Sequence, residues 1–267
     1  MDIEHVIKSY DGRSAIAYDI VPKIMPLLSK GYILNHEGKL TPAITSKSVS
    51  APWVYTRATG TLPCTLCTEV MFGALNIFPR QCLNCWKVVV RPRTVKELIL
   101  LLELEDNHTK RPCKCGIELR DHVPALYGGY FYNQSKEQGL ECLEDVRGLV
   151  SEHISPDIKV TLKRYCTEFE LKFGPSSQIE ESLLRGYYIN DDGSKTPIMK
   201  IGEMQIWEQI AMQIFDVKED KTRQAPFVRQ HVICEWFKFA FKHGDMTVKE
   251  FFDGESLYTP SETYEAL

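Results

Sequence analysis

The chain has 267 residues, 43% of them hydrophobic and 25% charged, with a formal net charge of -4; this is ordinary globular composition, enough for one large domain or two modest ones. No apolar run approaches the roughly 18 residues of a membrane span, and the start, MDIEHVIKSYDGRS, has acids at positions 2 and 4 and no apolar stretch, so it is not a signal peptide. Nine cysteines, an odd count without an export signal, argue against a disulfide framework and for a reducing, cytoplasmic setting in which clustered Cys pairs hold metal.

In chain order, HVIKSY and RSAIAY flank Asp11-Gly12 and read as a hairpin. A short helix is expected from about Ile20 to Lys30, stopped by Gly31, with Pro22 and Pro26 working against it. Tyr32 to Thr45 reads as a second hairpin around Glu37-Gly38, and a Ser, Ala and Pro-rich loop runs from Ser46 to Trp53. Residues 1–61 thus form an N-terminal β-rich region, and 62–86 a cysteine module. WKVVVRP is a β-branched strand. Thr94-Val-Lys-Glu97 is a capping box opening a helix to about Asp106. Cys113 to Leu119 and Tyr127 to Asn133 read as strands. Ser135-Lys-Glu-Gln138 caps a second helix, with apolar Leu140, Leu143, Val146, Val150 and Ile154 at helical spacing. Lys159 to Phe173 alternates as one long strand, or two short ones around Cys166. The order from Trp86 to Phe173 is therefore β-α-β-β-α-β, which resembles the split βαβ arrangement of ferredoxin-like folds and sets residues 87–175 apart as an α+β region. Residues 176–267 read as an acidic helical region, with helices over Ile179–Gly186, Gly202–Phe215 and Phe227–His243. The last opens at Pro226, stops at Gly244, and would bury Val228, Val232, Trp236, Ala240 and Phe241.

Cys64-Thr-Leu-Cys67 and Cys82-Leu-Asn-Cys85 are two C-x2-C knuckles separated by 14 residues. Each offers two sulfurs from a tight turn, and the connection lets the pairs complete a tetrahedral shell. From Pro63 to Trp86 the chain resembles zinc ribbons, which implies one closed, structural Zn2+ with a local charge of -2. Cys113-Lys-Cys115-Gly is a possible third knuckle. With His108 and His122, and with Cys142 or Cys166 as further candidates, it would hold a second zinc; alternatively Cys113 and Cys115 complete one of the first knuckles, or these thiols simply pack the core.

Catalytic signatures are thin. Pro63-Cys64-Thr-Leu-Cys67 matches half of a zinc nucleobase deaminase, but two residues after His36 stands Gly38 where that chemistry needs glutamate. Neither a phosphate loop nor a His-Glu-x-x-His pair nor a nucleophile elbow occurs. The reading leans away from an enzyme.

Charge is uneven. Arg57 to Arg120 carries 10 Lys/Arg against 6 Asp/Glu, and Gln178 to Leu267 carries 10 against 16. Arg57, Arg80, Arg91, Arg93 and Lys114, with Lys87, are candidates either to contact phosphates or to offset the thiolate charge. LYGGYFYN loosely resembles the aromatic strand of an RNA-recognition motif, with Gly129 and Tyr130 in the small and aromatic places. That implies stacking by Tyr130, and by Tyr127 or Tyr132; the alternative is that these rings fill the sheet core. The expectation is an α+β, zinc-binding, non-enzymatic protein associated with RNA or DNA, without a membrane. The alternative is a protein-binding adaptor acting through its acidic helical region, where Trp207, Trp236 and the Phe237–Phe241 segment exceed what one helix buries alone.

Overall fold

Val88, Val89 and Val90 are all buried, so the strand that holds them, β4 (Trp86–Arg91), must be covered on both faces and paired on both edges. In the computed structural model, which describes residues 27–28, 32–42, 52–57, 64, 66–73, 78–190, 192–197, 214 and 226–252, this is what happens. β4 pairs antiparallel with β6 (Tyr127–Asn133) on one side and β7 (Lys159–Arg164) on the other. β6 pairs with β5 (Cys113–Ile117), and β5 with β3 (Trp53–Arg57). The result is a five-stranded antiparallel sheet in the order β3-β5-β6-β4-β7. The expected hairpin at Asp11-Gly12, most of the helix from Ile20 to Lys30 and the helix over Gly202–Phe215 lie outside the described residues.

Two helices interrupt the strands where the capping residues put them. In α2 (Val95–Asn107), which follows the short helix α1 (Arg80–Leu83), Thr94 Oγ1 accepts from Glu97 N at 3.2 Å. In α3 (Lys136–His153), Ser135 Oγ accepts from Gln138 N at 3.2 Å. In both, the reciprocal acceptor lands one residue before the cap: Glu97 takes Arg93 N (2.6 Å) and Gln138 takes Gln134 N (3.1 Å). Such caps contribute about 1 kcal/mol each.

α2 and α3 cover one face of the sheet. Val54, Val88, Val90, Cys113, Cys115, Ile117, Tyr127 and Phe131 meet Leu98, Leu101, Leu102, Cys142, Leu143, Val146 and Val150 there. Gly129 lets α2 lie directly on β6, since a Cβ at that position would sit 2.5 Å from Leu101 Cδ2. The core also takes in Val232, Trp236 and Ala240 of a late helix (Pro226–Lys242), whose Trp236 Nε1 donates to Pro52 O at 2.8 Å. Asp245, just beyond that helix, accepts from Val95 N at 2.5 Å and from Tyr127 OH at 2.7 Å. A strand before the cysteine module and a helix near the chain's end therefore close one and the same core.

Two elements differ from the sequence reading. Trp53 does not end a loop; it opens β3, whose short alternation the sequence reading left unassigned. Lys159 to Phe173 is a strand only to Arg164. Thr167–Phe173 is a helix, α4, packing Phe169 and Phe173 against Phe72 and Phe78. The alternation Phe169, Leu171, Phe173 suits a strand, but Leu171 is 65% exposed; the spacing that matters is four, one helical turn.

The smaller pieces follow their turn residues. β1 (Tyr32–Leu34) and β2 (Leu40–Pro42) form a hairpin in which Asn35 Oδ1 accepts from Glu37 N and Lys39 N, both at 2.9 Å. α5 (Ser176–Arg185) ends at Gly186, and β8 (Tyr187–Ile189) pairs with β9 (Lys195–Pro197) around Asp192-Gly193. Among the described residues no helix is long and apolar enough to cross a membrane.

Candidate functional site

Residues paired across an antiparallel ladder share a face. Trp53 pairs with Gly116, Tyr55 with Lys114, Lys114 with Tyr130, Tyr132 with Lys87, and Lys87 with Lys163. All of them stand on the side of the sheet away from α2 and α3. Two glycines on this side let large groups lie flat. A Cβ on Gly116 would meet a Trp53 ring carbon at 2.9 Å, and one on Gly128 would meet Arg91 at 2.9 Å. Trp53 and Tyr130 touch edge to face with centroids 5.4 Å apart. The Lys114 ammonium lies 4.6 Å from the Trp53 centroid, 5.2 Å from Tyr55 and 5.8 Å from Tyr130. Such contacts contribute about 0.5–2 kcal/mol, more as water is excluded. Burial lowers the Lys114 pKa, opposed by the Cys64 thiol and assisted by Lys87. Tyr55 remains 44% exposed.

Beside this platform a polar knot is fully engaged. The Tyr130 hydroxyl donates to Glu118 Oε2 and accepts from Arg91 and Arg120, each at 3.1 Å. Arg120 grips Glu118 with two bonds of 2.6 and 2.5 Å and reaches Glu168 at 2.5 Å. Burial pushes both carboxyls up, but the bonds they accept outweigh it: Glu118 is lowered, and Glu168 is held down at about 2 by its backbone and Arg120. These are charge-assisted, partly buried bonds, stronger than neutral ones.

The residues singled out as nucleic-acid contacts therefore separate. Lys114 and Arg91 belong to the sheet face, Arg91 through Tyr130 and Glu118. Tyr130 is there too but buried, with its hydroxyl committed, and Tyr127 is buried on the helix side against Asp245. Arg57 caps the end of α2 through Thr109 O (2.9 Å) and Asp106 O (3.4 Å). Arg93 is held by Glu97, with Asp157 at 3.7 Å. Arg80 opens α1. Sequence reasoning missed Trp53 and Tyr55; the signal was the alternation of Trp53, Tyr55 and Arg57 with Val54 and Thr56.

The two cysteine knuckles approach one another. Cys85 N donates to Cys82 O at 3.2 Å in the second knuckle, and Gln81 Nε2 donates to the buried Cys67 Sγ at 3.2 Å. Burial raises the Cys85 thiol to about 11, with Lys87 opposing and Cys64 and Cys82 adding to it. Burial likewise raises Cys166 to about 12, with Lys87 opposing and Cys82 contributing. Lys87 is only 8% exposed. Burial opposes its charge, but Cys85, Cys166, Cys64 and Glu168 outweigh that and raise its pKa. Cys64 also raises the phenol of Tyr132, after burial, so the first knuckle sits at the rim of the aromatic face. None of the nine cysteines is in a disulfide, and among the described residues no three His, Cys, Asp or Glu side chains stand close enough together to hold a metal ion. The expected tight turns are instead short helical segments, Leu66–Met71 around Cys67 and α1 around Cys82; the donor chemistry still suits a metal, with soft sulfurs, an amide on one of them and a buried cation nearby.

The second set of candidate ligands is spread out. Cys113 and Cys115 point into the core, where burial and then Glu105 push both thiols up. Glu105, 0% exposed, accepts from Thr56 Oγ1 at 2.8 Å and is raised to about 8 by burial, against Thr56 and Cys115. His108, the C-cap of α2, stacks on His153 with centroids 4.2 Å apart. His122 lies in an exposed turn, and Cys142 is a core residue of α3.

No protein-family model matches the chain, and neither the curated proteins nor the solved structures contain a significant match.

Proposed function

We propose that this chain is a zinc-stabilised, non-enzymatic protein that binds single-stranded RNA or DNA at the Trp53 and Tyr55 edge of the sheet, on the side that faces away from α2 and α3. The observation that carries this is the Trp53, Tyr55 and Lys114 group: two rings with a cation between them, one ring exposed, on one sheet face. Stacking on aromatic rings tolerates any base, at about 1–3 kcal/mol per base, and nearby cations supply phosphate contacts. On the same side Lys159 is exposed at the start of β7, whereas Lys163 is paired with Glu170 at 2.5 Å and Arg91 with Tyr130 and Glu118. The unit from β4 to β7 has the element order β-α-β-β-α-β with its strands arranged 2-3-1-4, all antiparallel. That order supports a ferredoxin-like arrangement, in which the helices cover one side and leave the other for a ligand.

In the same reading, Cys64, Cys67, Cys82 and Cys85 hold one zinc. A closed four-thiolate site takes no part in chemistry; it pins the segment at the rim of the platform. The alternative of an adaptor working through its helical region has less support, because Trp236 is used up in the core.

The test is a titration of the purified chain with short single-stranded oligonucleotides, followed by tryptophan fluorescence at several salt concentrations. The expected results are quenching, a slope of about -0.7 per neutralised phosphate in log affinity against log salt, and a loss of roughly 5- to 150-fold in Tyr55→Ala, the stacking term above expressed as affinity. Binding that ignores both salt and Tyr55→Ala, or no binding at low salt, overturns the proposal.

A further inference from the structure

We infer that the late helix (Pro226–Lys242) is a homodimer interface: its outward face takes the same face of a second copy of this chain, laid antiparallel across it. The inference stands apart from the nucleic-acid reading. One face of the helix is spent on the core, where Val232, Trp236 and Ala240 are buried. One apolar stripe suffices for that, and the opposite side of a surface helix is ordinarily charged or polar. Here it is not. Phe227, Gln230, Cys234, Phe237 and Phe241 recur at spacings of three and four, and so line the side away from Trp236. Phe227 is 73% exposed and Phe241 36%. Cys234 is exposed, and Phe237 is partly buried against Phe251 and Phe252, with Phe251 itself 38% exposed. A helix that is apolar on both sides belongs to an interior or an interface.

The pattern itself names the occupant. Alternate spacings of three and four make the seam of a paired helix, with Phe227, Cys234 and Phe241 at one seam position and Gln230 and Phe237 at the other. Cys234 is the middle of this seam, and Phe227 and Phe241 lie two turns to either side. A second copy running the opposite way therefore sets the rings of each end against those of the other, and brings the two Cys234 thiols close to the two-fold axis. That is the self-complementarity a two-fold contact demands. No seam position is charged, so nothing repels an identical partner and nothing draws a charged one. Beside the seam, Lys238 is neutralised by Glu235 at 2.7 Å. The exposed parts of Phe227, Phe241 and Phe251 amount to roughly 300 Å² per copy, against about 800 Å² per partner in a stable dimer. The rings alone supply less than half of that, so the association is weak and depends on concentration.

The test is sedimentation velocity of the nuclease-treated chain over a series of concentrations, beside cross-linking by a short bismaleimide with peptide mapping. Wild type is expected to move from one chain mass towards two as concentration rises. It should also give a cross-link between two Cys234 thiols that Cys234→Ser abolishes. Phe227→Glu alters a ring that is largely exposed, so the circular dichroism should be unchanged while the dissociation constant rises roughly tenfold or more. A chain that stays monomeric at every concentration overturns the inference, and reserves this face for a different protein. A dimer that Phe227→Glu leaves unweakened, or that gives no cross-link at Cys234, overturns it too, since its interface then lies elsewhere. Neither outcome bears on oligonucleotide binding, which is measured separately.

Discussion

The two sides of the sheet are built from the same strands and have opposite chemistries. In Cys113-Lys114-Cys115, the two thiols point into a core of Leu and Val while the lysine between them stands among Trp53, Tyr55 and Tyr130 on the other side. Each side also holds a carboxyl that its surroundings shift, in opposite directions: Glu105 up, on the buried face of α2, and Glu168 down, against Arg120. The helix side is held mainly by burial, and its fully buried carboxyl, Glu105, is driven towards its neutral form. The other side is held by paired charges and rings, and so can exchange one partner for another. Perturbations should therefore act differently on the two sides.

The largest expected effect is on the helix side. Trp236→Ala removes a fully buried indole and its bond to Pro52 O, and should cost about 3–5 kcal/mol in urea denaturation; a loss below about 1 kcal/mol would mean that the late helix is not part of the core.

Next comes pH. The Glu105 carboxyl would ionise near its ordinary value when unfolded but keeps its proton to about 8 when folded. Its contribution is thus full below the unfolded value and is lost as pH rises towards 8, on the order of a few kcal/mol. Glu105→Gln should flatten this part of the stability profile between pH 5 and 8. Glu168 has the opposite sign: its contribution is present above the unfolded value and is lost as pH falls towards about 2. Denaturation curves of wild type and each Glu→Gln variant across pH 3–8 separate the two sides; identical profiles would erase the distinction.

Arg120→Ala should cost about 2 kcal/mol, because it strips charge-assisted bonds from the buried Glu118 carboxylate while Arg91 remains 4.0 Å away. Tyr55→Ala should change stability least, within about 0.5 kcal/mol, since the ring is well exposed. Yet it should weaken oligonucleotide binding most. A thermal melt beside a binding titration checks that dissociation of roles.

Much of the local structure was legible in the sequence. Thr94 and Ser135 begin their helices where the capping pattern places them, Tyr127–Asn133 is a strand as read, Gly244 ends the late helix, and the hairpin at Glu37-Gly38 forms. Each of these signals is carried by residues within four positions of one another. The candidate site was legible only in part: Lys114 was found, but Trp53 and Tyr55 were not, and Tyr130 lies buried in a polar knot rather than exposed for stacking.

What the sequence by itself determined is therefore where the capped helices and the longer strands start, and that the strands have two unlike sides. The tertiary structure decided which side takes the helices α2 and α3, that β3 joins the sheet, and that Thr167–Phe173 coils into a helix against Phe72 and Phe78. The reason is physical: a period-2 pattern sorts side chains into two sets but does not choose between them. The choice belongs to partners far along the chain, such as Trp236 on Pro52 and Asp245 on Val95, which no local pattern contains.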